Sequence, residues 1–193
     1  MLRVGGLTPL SATDYPGHLC AVVFCQGCAW RCGYCHNRHL RARLGEAAIP
    51  WPEVLAFLRR RRGLLDAVVF SGGEPTLQAG LAAAMQEVKA LGFLIGLHTA
   101  GIVPRQLARL LPLVDWIGMD LKAPFAHYER VTGAKASGRR ARESMELVLA
   151  SGVACQFRTT VVPGSPDQHS VAQIAAALKH RGVDSYVVQE ARA

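Results

Sequence analysis

Leu19-Cys20-Ala21-Val22-Val23-Phe24-Cys25-Gln26-Gly27-Cys28-Ala29-Trp30-Arg31-Cys32-Gly33-Tyr34-Cys35-His36-Asn37 joins an apolar, strand-like run to a loop with cysteines in C-x3-C-x2-C spacing. That spacing sets the thiols of Cys28, Cys32 and Cys35 on one short loop, close enough to grip a single iron–sulfur cube. Three thiolates leave one iron of such a cube without a protein ligand. An open coordination site on a redox cluster is where a second molecule can bind and receive an electron. Three other readings compete. Cys32-Gly33-Tyr34-Cys35-His36 fits the C-x-x-C-H pattern of c-type haem attachment, which normally belongs to exported proteins. With Cys25 included, the run becomes C-x2-C-x3-C-x2-C and could close a tetrahedral zinc site, although structural zinc pairs usually lie further apart. A disulfide framework is the weakest reading, because 193 residues with 50% hydrophobic content need no covalent staples.

Composition narrows the class. No apolar run approaches membrane-spanning length, and Met1 to Gly6 has no apolar core of a secretion signal. Six cysteines without an export signal predict a reducing, cytoplasmic setting in which clustered thiols mean metal or redox chemistry. The net charge of +8 permits an anionic partner such as nucleic acid. Yet Arg59-Arg60-Arg61-Arg62 reads as the end of a helix before Gly63, where cations complement the helix dipole. Arg139, Arg140 and Arg142 read as a solvated face, so nucleic acid is an unlikely partner.

Strand and helix signals alternate along the chain. Strands are predicted over Leu19–Cys25, Ala67–Phe70, Phe93–His98, Trp116–Leu121, Cys155–Val162 and Ser185–Gln189. Helices are predicted over Pro52–Arg62, Leu77–Leu91, Pro104–Leu111, Arg139–Ala150 and Ser170–Arg181, several of them running into Gly63, Gly92, Gly152 or Gly182. The strands are almost continuously apolar, as in a parallel sheet covered by helices. Residues 1–193 therefore read as a single α/β domain, either an open doubly wound sheet or an incomplete barrel. Each strand exits into polar or glycine-bearing sequence: Cys25–Asn37, Ser71–Pro75, His98–Gly101, Asp120–Lys122, Arg158–Gly164 and Gln189–Glu190. Ligands bind at the C-terminal ends of parallel strands, so all six exits are expected at one mouth. The connections Ala123–Gly138 and Pro163–His169 are long for βα loops and are expected to face substrate.

Cys28-x3-Cys32-x2-Cys35 after the first of these strands and Ser71-Gly72-Gly73-Glu74-Pro75 after the second resemble the radical S-adenosylmethionine superfamily. Within it, Asp14-Tyr15-Pro16-Gly17, Gln26-Gly27-Cys28, Tyr34-Cys35-His36-Asn37 and Met119-Asp120-Leu121-Lys122-Ala123-Pro124 resemble the activating proteins of anaerobic ribonucleotide reductase. The resemblance implies a partial (β/α)6 parallel barrel with a [4Fe-4S] cluster on Cys28, Cys32 and Cys35, and S-adenosylmethionine as second cofactor. It implies reductive cleavage of S-adenosylmethionine to a 5′-deoxyadenosyl radical, which abstracts hydrogen from a glycine on a large partner enzyme. No catalytic residue is expected beyond the cluster and its bound cofactor.

By the same resemblance, the Gly72 and Gly73 carbonyls and Glu74 receive the methionine ammonium, and Tyr34 lies near the adenine. Asn37, Thr99, Asp120 and Lys122 surround the ribose and the methionine carboxylate, with Lys122 as an exposed point charge. Judged without the family, Asp120 and Lys122 could equally be a strand-end salt bridge. Cys20, Cys25 and Cys155 read as buried small hydrophobes and His36 as a packing residue, although Cys25 could touch the cluster loop. A low-potential donor such as flavodoxin or ferredoxin would supply the electron. The alternatives are activation of a pyruvate formate-lyase type enzyme, modification of a small molecule, or a metal-bearing nucleic-acid-binding module.

Overall fold

The computed structural model describes residues 1–43, 49–162 and 168–191. Among the described residues, seven strands form one sheet in chain order. β1 (Val4–Ser11) runs antiparallel to β2 (Cys20–Cys25). β3 (Ala67–Gly72), β4 (Leu94–Thr99), β5 (Trp116–Asp120), β6 (Ala154–Val161) and β7 (Tyr186–Glu190) follow β2 in parallel. The crossovers carry α1 (Trp51–Arg59), α2 (Leu81–Ala90), α3 (Pro104–Leu110), α4 (Tyr128–Thr132) with α5 (Ser137–Ser151), and α6 (Gln168–Lys179). Right-handed crossovers in unbroken chain order put every helix on one side, and the sheet twist curls the strands toward a barrel. The sheet stays open between its edges β1 and β7, which is the partial barrel expected from the sequence. No helix among the described residues is long and apolar enough to cross a membrane.

The strands are apolar on both faces, for two different reasons. Val23, Val68, Phe70, Ile95, Leu97, Ile117 and Met119 pack outward against the helices, meeting Leu55, Leu58, Met85, Val88, Leu107 and Met145. The alternate positions Cys20, Val22, Ala67, Val69 and Trp116 point inward and enclose Tyr15. Tyr15 belongs to the β1–β2 connection, which folds up into the barrel and supplies its floor. Gly96 makes room for that ring, since a Cβ there would sit 3.0 Å from Tyr15 Cδ2. Further inward positions of β4, β5 and β6 include His98, Asp120, Arg158 and Thr160, which carry polarity into the site.

All six predicted strands and all five predicted helices are present, with shifted ends. β1 was not predicted because Gly5, Gly6 and Pro9 dilute its strand signal, as on many edge strands. α1 stops at Arg59, so Arg60, Arg61 and Arg62 lie beyond the helix rather than in its last turn. Arg61 stacks over the Phe57 ring at 5.0 Å instead. α2 begins at Leu81 because Pro75–Leu77 forms a separate 3-10 turn and Gln78 is extended. The Ala123–Gly138 connection contains α4 and the start of α5, and most of Pro163–His169 lies outside the described residues. Gly63, Gly92, Gly152 and Gly182 all adopt positive φ after a helix, as their positions predicted.

Candidate active site

The ends of β2 to β6 open into one cavity of about 180 Å³. Cys28, Cys32, Cys35, Tyr34, Asn37, Gly72, Gly73, Glu74, Thr99, Asp120 and Lys122 all line it. The sixth exit does not. Gln189 and Glu190 are exposed at the end of β7, the open edge of the sheet, and the cavity wall stops at Arg158 and Thr160 of β6. Because the barrel does not close, the last strand is turned away from the mouth that the others share.

The cysteine loop is held by its own backbone. Gly27 N–H donates to Leu40 O (2.7 Å), Cys28 N–H to Arg41 O (3.1 Å) and Arg31 N–H to Thr132 O (2.8 Å). Arg38 and Arg41 donate to the carbonyls of Gly33 and Cys32. From the neighbouring strand, Gly73 N–H donates to Cys25 O and Glu74 N–H to Gly27 O, each at 2.9 Å. This lacing explains the glycine pair. Gly72 has φ +102°, and a Cβ on it would lie 2.6 Å from Cys25 N, while one on Gly73 would collide with Gly27 O. The glycines were expected to admit a ligand to the backbone. They line the cavity, but the close approach they allow is to the cysteine loop itself. Cys25 lies fully buried in β2 and is not part of the cavity wall. Cys20 is buried in the barrel interior, and Cys155 is half-buried.

Glu74 is 1% exposed. Its Oε1 accepts from Thr76 N–H (3.0 Å), Thr76 Oγ1 (2.6 Å) and Thr99 Oγ1 (2.5 Å), and its Oε2 from Ala100 N–H (3.0 Å). Burial pushes this carboxyl up, and the four donors pull it back. Glu74 thus ties the β3 exit to the β4 exit, leaving acceptor capacity on Oε2 alone.

The same cavity is lined by a charged group from β5, its exit and β6. Asp120 and Arg158 are register partners on β5 and β6, and the guanidinium holds Asp120 Oδ1 through Nε and Nη2, both at 3.1 Å. Lys122 Nζ lies 3.6 Å from Asp120 Oδ2 and 5.8 Å from the Tyr34 ring centroid. Lys122 was expected to be exposed, yet its side chain is 14% exposed, because the β5 exit turns it into the cavity. Burial alone would raise the Asp120 carboxyl, but Arg158 and Lys122 outweigh it and hold it below the usual carboxylate range. Burial alone would lower the Lys122 ammonium, but Asp120 holds it above the usual lysine range. His98 donates from Nε2 to Asp14 O at 2.8 Å as the neutral imidazole, since burial and Arg158 push it down to about 4.

Arg158 and His98 were not singled out from sequence. The available signal was a lone arginine inside the apolar run Cys155–Val162. Gly118 provides the room, since a Cβ there would stand 3.0 Å from Arg158 Cζ. Arg158→Met should therefore raise the Asp120 pKa, read by carbon NMR. Breaking a fully buried pair costs roughly 3–5 kcal/mol. Asp120 is a third exposed, so screening should reduce the loss to about 1–3 kcal/mol by urea denaturation. The sign follows from the depressed carboxyl: the pair's contribution is full above the unfolded-state pKa and disappears as pH falls through the folded one.

The donor set suits a cluster with a bound organic cofactor. Cys28, Cys32 and Cys35 form no disulfide and share one wall, where burial pushes Cys28 up to about 11 and Cys32 upward. Among the described residues, no three His, Cys, Asp or Glu side chains stand together as a set that could hold one metal ion. Cys25, the fourth thiol that a zinc site would need, is fully buried and off the cavity wall, which disfavours the zinc reading. Trp30 Nε1 and Tyr34 Oη are buried without a hydrogen-bond partner, two polar atoms at the cavity that a ligand could satisfy. A second cavity of about 250 Å³ adjoins, sharing Tyr34, Lys122 and Thr160 and adding His127, Arg130 and Ile174.

Residues 22–177 match the model of the Radical SAM superfamily. A Methanocaldococcus jannaschii protein, provisionally named a glycyl-radical enzyme activating enzyme, is 31% identical over 97% of this chain and 79% of its own length. The pyruvate formate-lyase-activating enzyme of Clostridium pasteurianum is 29% identical over 93% of this chain and 77% of its own. The crystal structure of Streptococcus suis SuiB bound to S-adenosylmethionine shares the fold, with a TM-score of 0.64 and 16% identity over 87% of this chain. The chain spans 39% of SuiB. The cysteine loop, the Gly-Gly-Glu exit and the family match agree: this chain belongs to the radical SAM superfamily, whose members use a [4Fe-4S] cluster and S-adenosylmethionine, and it is similar in sequence to glycyl-radical enzyme activating members.

Proposed function

We propose that this chain is a glycyl-radical enzyme activating enzyme whose target is an anaerobic ribonucleotide reductase, with residues 1–193 acting as one radical SAM domain. The observation that carries the reading is that one cavity is lined both by three thiols and by the Lys122–Asp120–Arg158 group. When bound there, the cluster and S-adenosylmethionine supply an electron and a carbon-centred radical. The chain's own residues bind, orient and shield. Cys28, Cys32 and Cys35 hold the cluster. Lys122 and Arg158 present two cations to one carboxylate, Asp120, leaving net positive charge for the methionine carboxylate. Asp120, a third exposed, and Asn37 line the cavity and would take the ribose hydroxyls. Glu74 Oε2 and the Gly72 and Gly73 carbonyls would receive the ammonium, and Tyr34 would lie by the adenine. Thr99 acts through Glu74. The second cavity, on the far side of Tyr34 and Lys122, offers entry for a loop of the partner enzyme, which would exclude water itself.

The ribonucleotide reductase target is supported by the motifs Tyr34-Cys35-His36-Asn37 and Met119-Asp120-Leu121-Lys122-Ala123-Pro124. Similarity to pyruvate formate-lyase-activating enzymes favours a second reading, activation of a formate-lyase. Mixing the anaerobically reconstituted protein with S-adenosylmethionine, reductant and each purified candidate separates them by electron spin resonance. A glycyl radical signal is expected with the reductase. A signal with the lyase alone would transfer the function to the second reading, and none with either would overturn both.

A further inference from the structure

A cavity of about 500 Å³ lies outside the barrel mouth. It is walled by the outer side of the cysteine loop, Gln26 to Ala29, with Arg3 and Arg43, and by Leu77 to Ala79. Cys28 lines both this depression and the cofactor cavity, and no other residue does. One side chain therefore separates the outer surface from the thiol wall. The charged side chains lining the depression, among the described residues, are the exposed Arg3 and Arg43, and no acidic one lines it. Arg3 Nη1 donates to Arg43 O at 2.8 Å, which fixes the Arg3 guanidinium against the Arg43 backbone. Leu77, 39% exposed, adds an apolar rim, while Ala29 and Ala79 keep the surface low.

We infer that this depression docks an acidic, low-potential electron-transfer protein, a reading that rests on the cofactor chemistry proposed above. That chemistry consumes one electron per turnover, and the cofactor cavity itself is taken up by S-adenosylmethionine. Cys28, which lines both cavities, then offers the electron a route from outside. One electron leaves the donor, which is oxidised, and enters the cluster, which is reduced, with no atom or proton transferred. Two arginines beside an apolar rim suit a carboxylate-ringed redox centre, and charge complementarity of this kind sets encounter rate and salt dependence.

The test uses an acidic flavodoxin as donor and two variants outside the cofactor cavity, Arg43→Glu and Ala79→Glu. Calorimetric affinity of flavodoxin for the apoprotein should fall about three- to tenfold in each variant, and wild-type binding should weaken with salt. Flavodoxin-driven formation of 5′-deoxyadenosine should fall in step, while dithionite-driven formation stays at the wild-type rate. Wild-type flavodoxin affinity in both variants would overturn the docking assignment while leaving the cofactor reading intact. Absence of 5′-deoxyadenosine with dithionite in the wild type would overturn the cofactor reading, and this inference with it.

Discussion

Anaerobic reconstitution of the Cys28→Ala, Cys32→Ala or Cys35→Ala protein is expected to yield essentially no iron, against about four irons per chain in the wild type. The reason is the geometry of the loop. The three thiols share one cavity wall on a segment pinned by Gly27, Cys28 and Arg31 N–H groups, so another cysteine cannot swing in to replace a lost ligand. Cys25 is the nearest in sequence, but it sits fully buried in β2 with its backbone bonded into the sheet and to Gly73. Cys25→Ala, Cys20→Ala and Cys155→Ala should each retain the cluster, at a small cost in packing. Iron content and the visible absorption of the cluster measure this directly. Tightly held iron in any of the first three variants would show that a ligand had been assigned wrongly. Loss of iron in Cys25→Ala, with the fold intact by circular dichroism, would bring that thiol into the site.

Much of this site is legible in the sequence because local signals coincide with tertiary ones. A β-branched run such as Ala67–Phe70 is a strand wherever it packs, and parallel strands carry their exits to one face. The cysteines and the glycine pair are contiguous motifs, so their placement follows from the strand that precedes them. What the sequence conceals depends on register. Asp120 meets Arg158 only because β5 and β6 pair at that position, 38 residues apart. The same pairing, with the turn after β5, buries Lys122, which as an isolated lysine reads as exposed. The β1–β2 connection carries Asp14-Tyr15-Pro16-Gly17 into the barrel floor, where Tyr15 packs on Trp116 and the Asp14 carbonyl accepts a hydrogen bond from His98 Nε2. No periodicity announces a loop that folds inward. Openness of the barrel, finally, removes the β7 exit from the mouth, and edge closure is a property of the whole sheet.

Glu74→Ala is expected to destabilise the apoprotein by about 3–5 kcal/mol, before any cofactor is added. Four donors converge on this buried carboxylate. The hydroxyls of Thr76 and Thr99 can rotate to other acceptors, but the N–H groups of Thr76 and Ala100 are fixed by the backbone and would be left buried and unpaired. Each such orphan costs about 1–3 kcal/mol. Glu74→Gln separates the contributions, because the amide oxygen can keep the Oε1 bonds while its NH2 faces the Ala100 N–H. That variant should lose about 1–3 kcal/mol, giving the order wild type, Gln, Ala in urea denaturation. The bracing function and the binding function then have distinct signatures. Bracing lowers the stability of the apoprotein, whereas a direct contact from Oε2 to the methionine ammonium appears only as a smaller gain in stability when S-adenosylmethionine is added to the reconstituted protein. Full apoprotein stability in Glu74→Ala would show that the four hydrogen bonds do not hold the β3 and β4 exits together. A full cofactor-induced gain in Glu74→Gln would confine Glu74 to bracing and leave the ammonium to the Gly72 and Gly73 carbonyls.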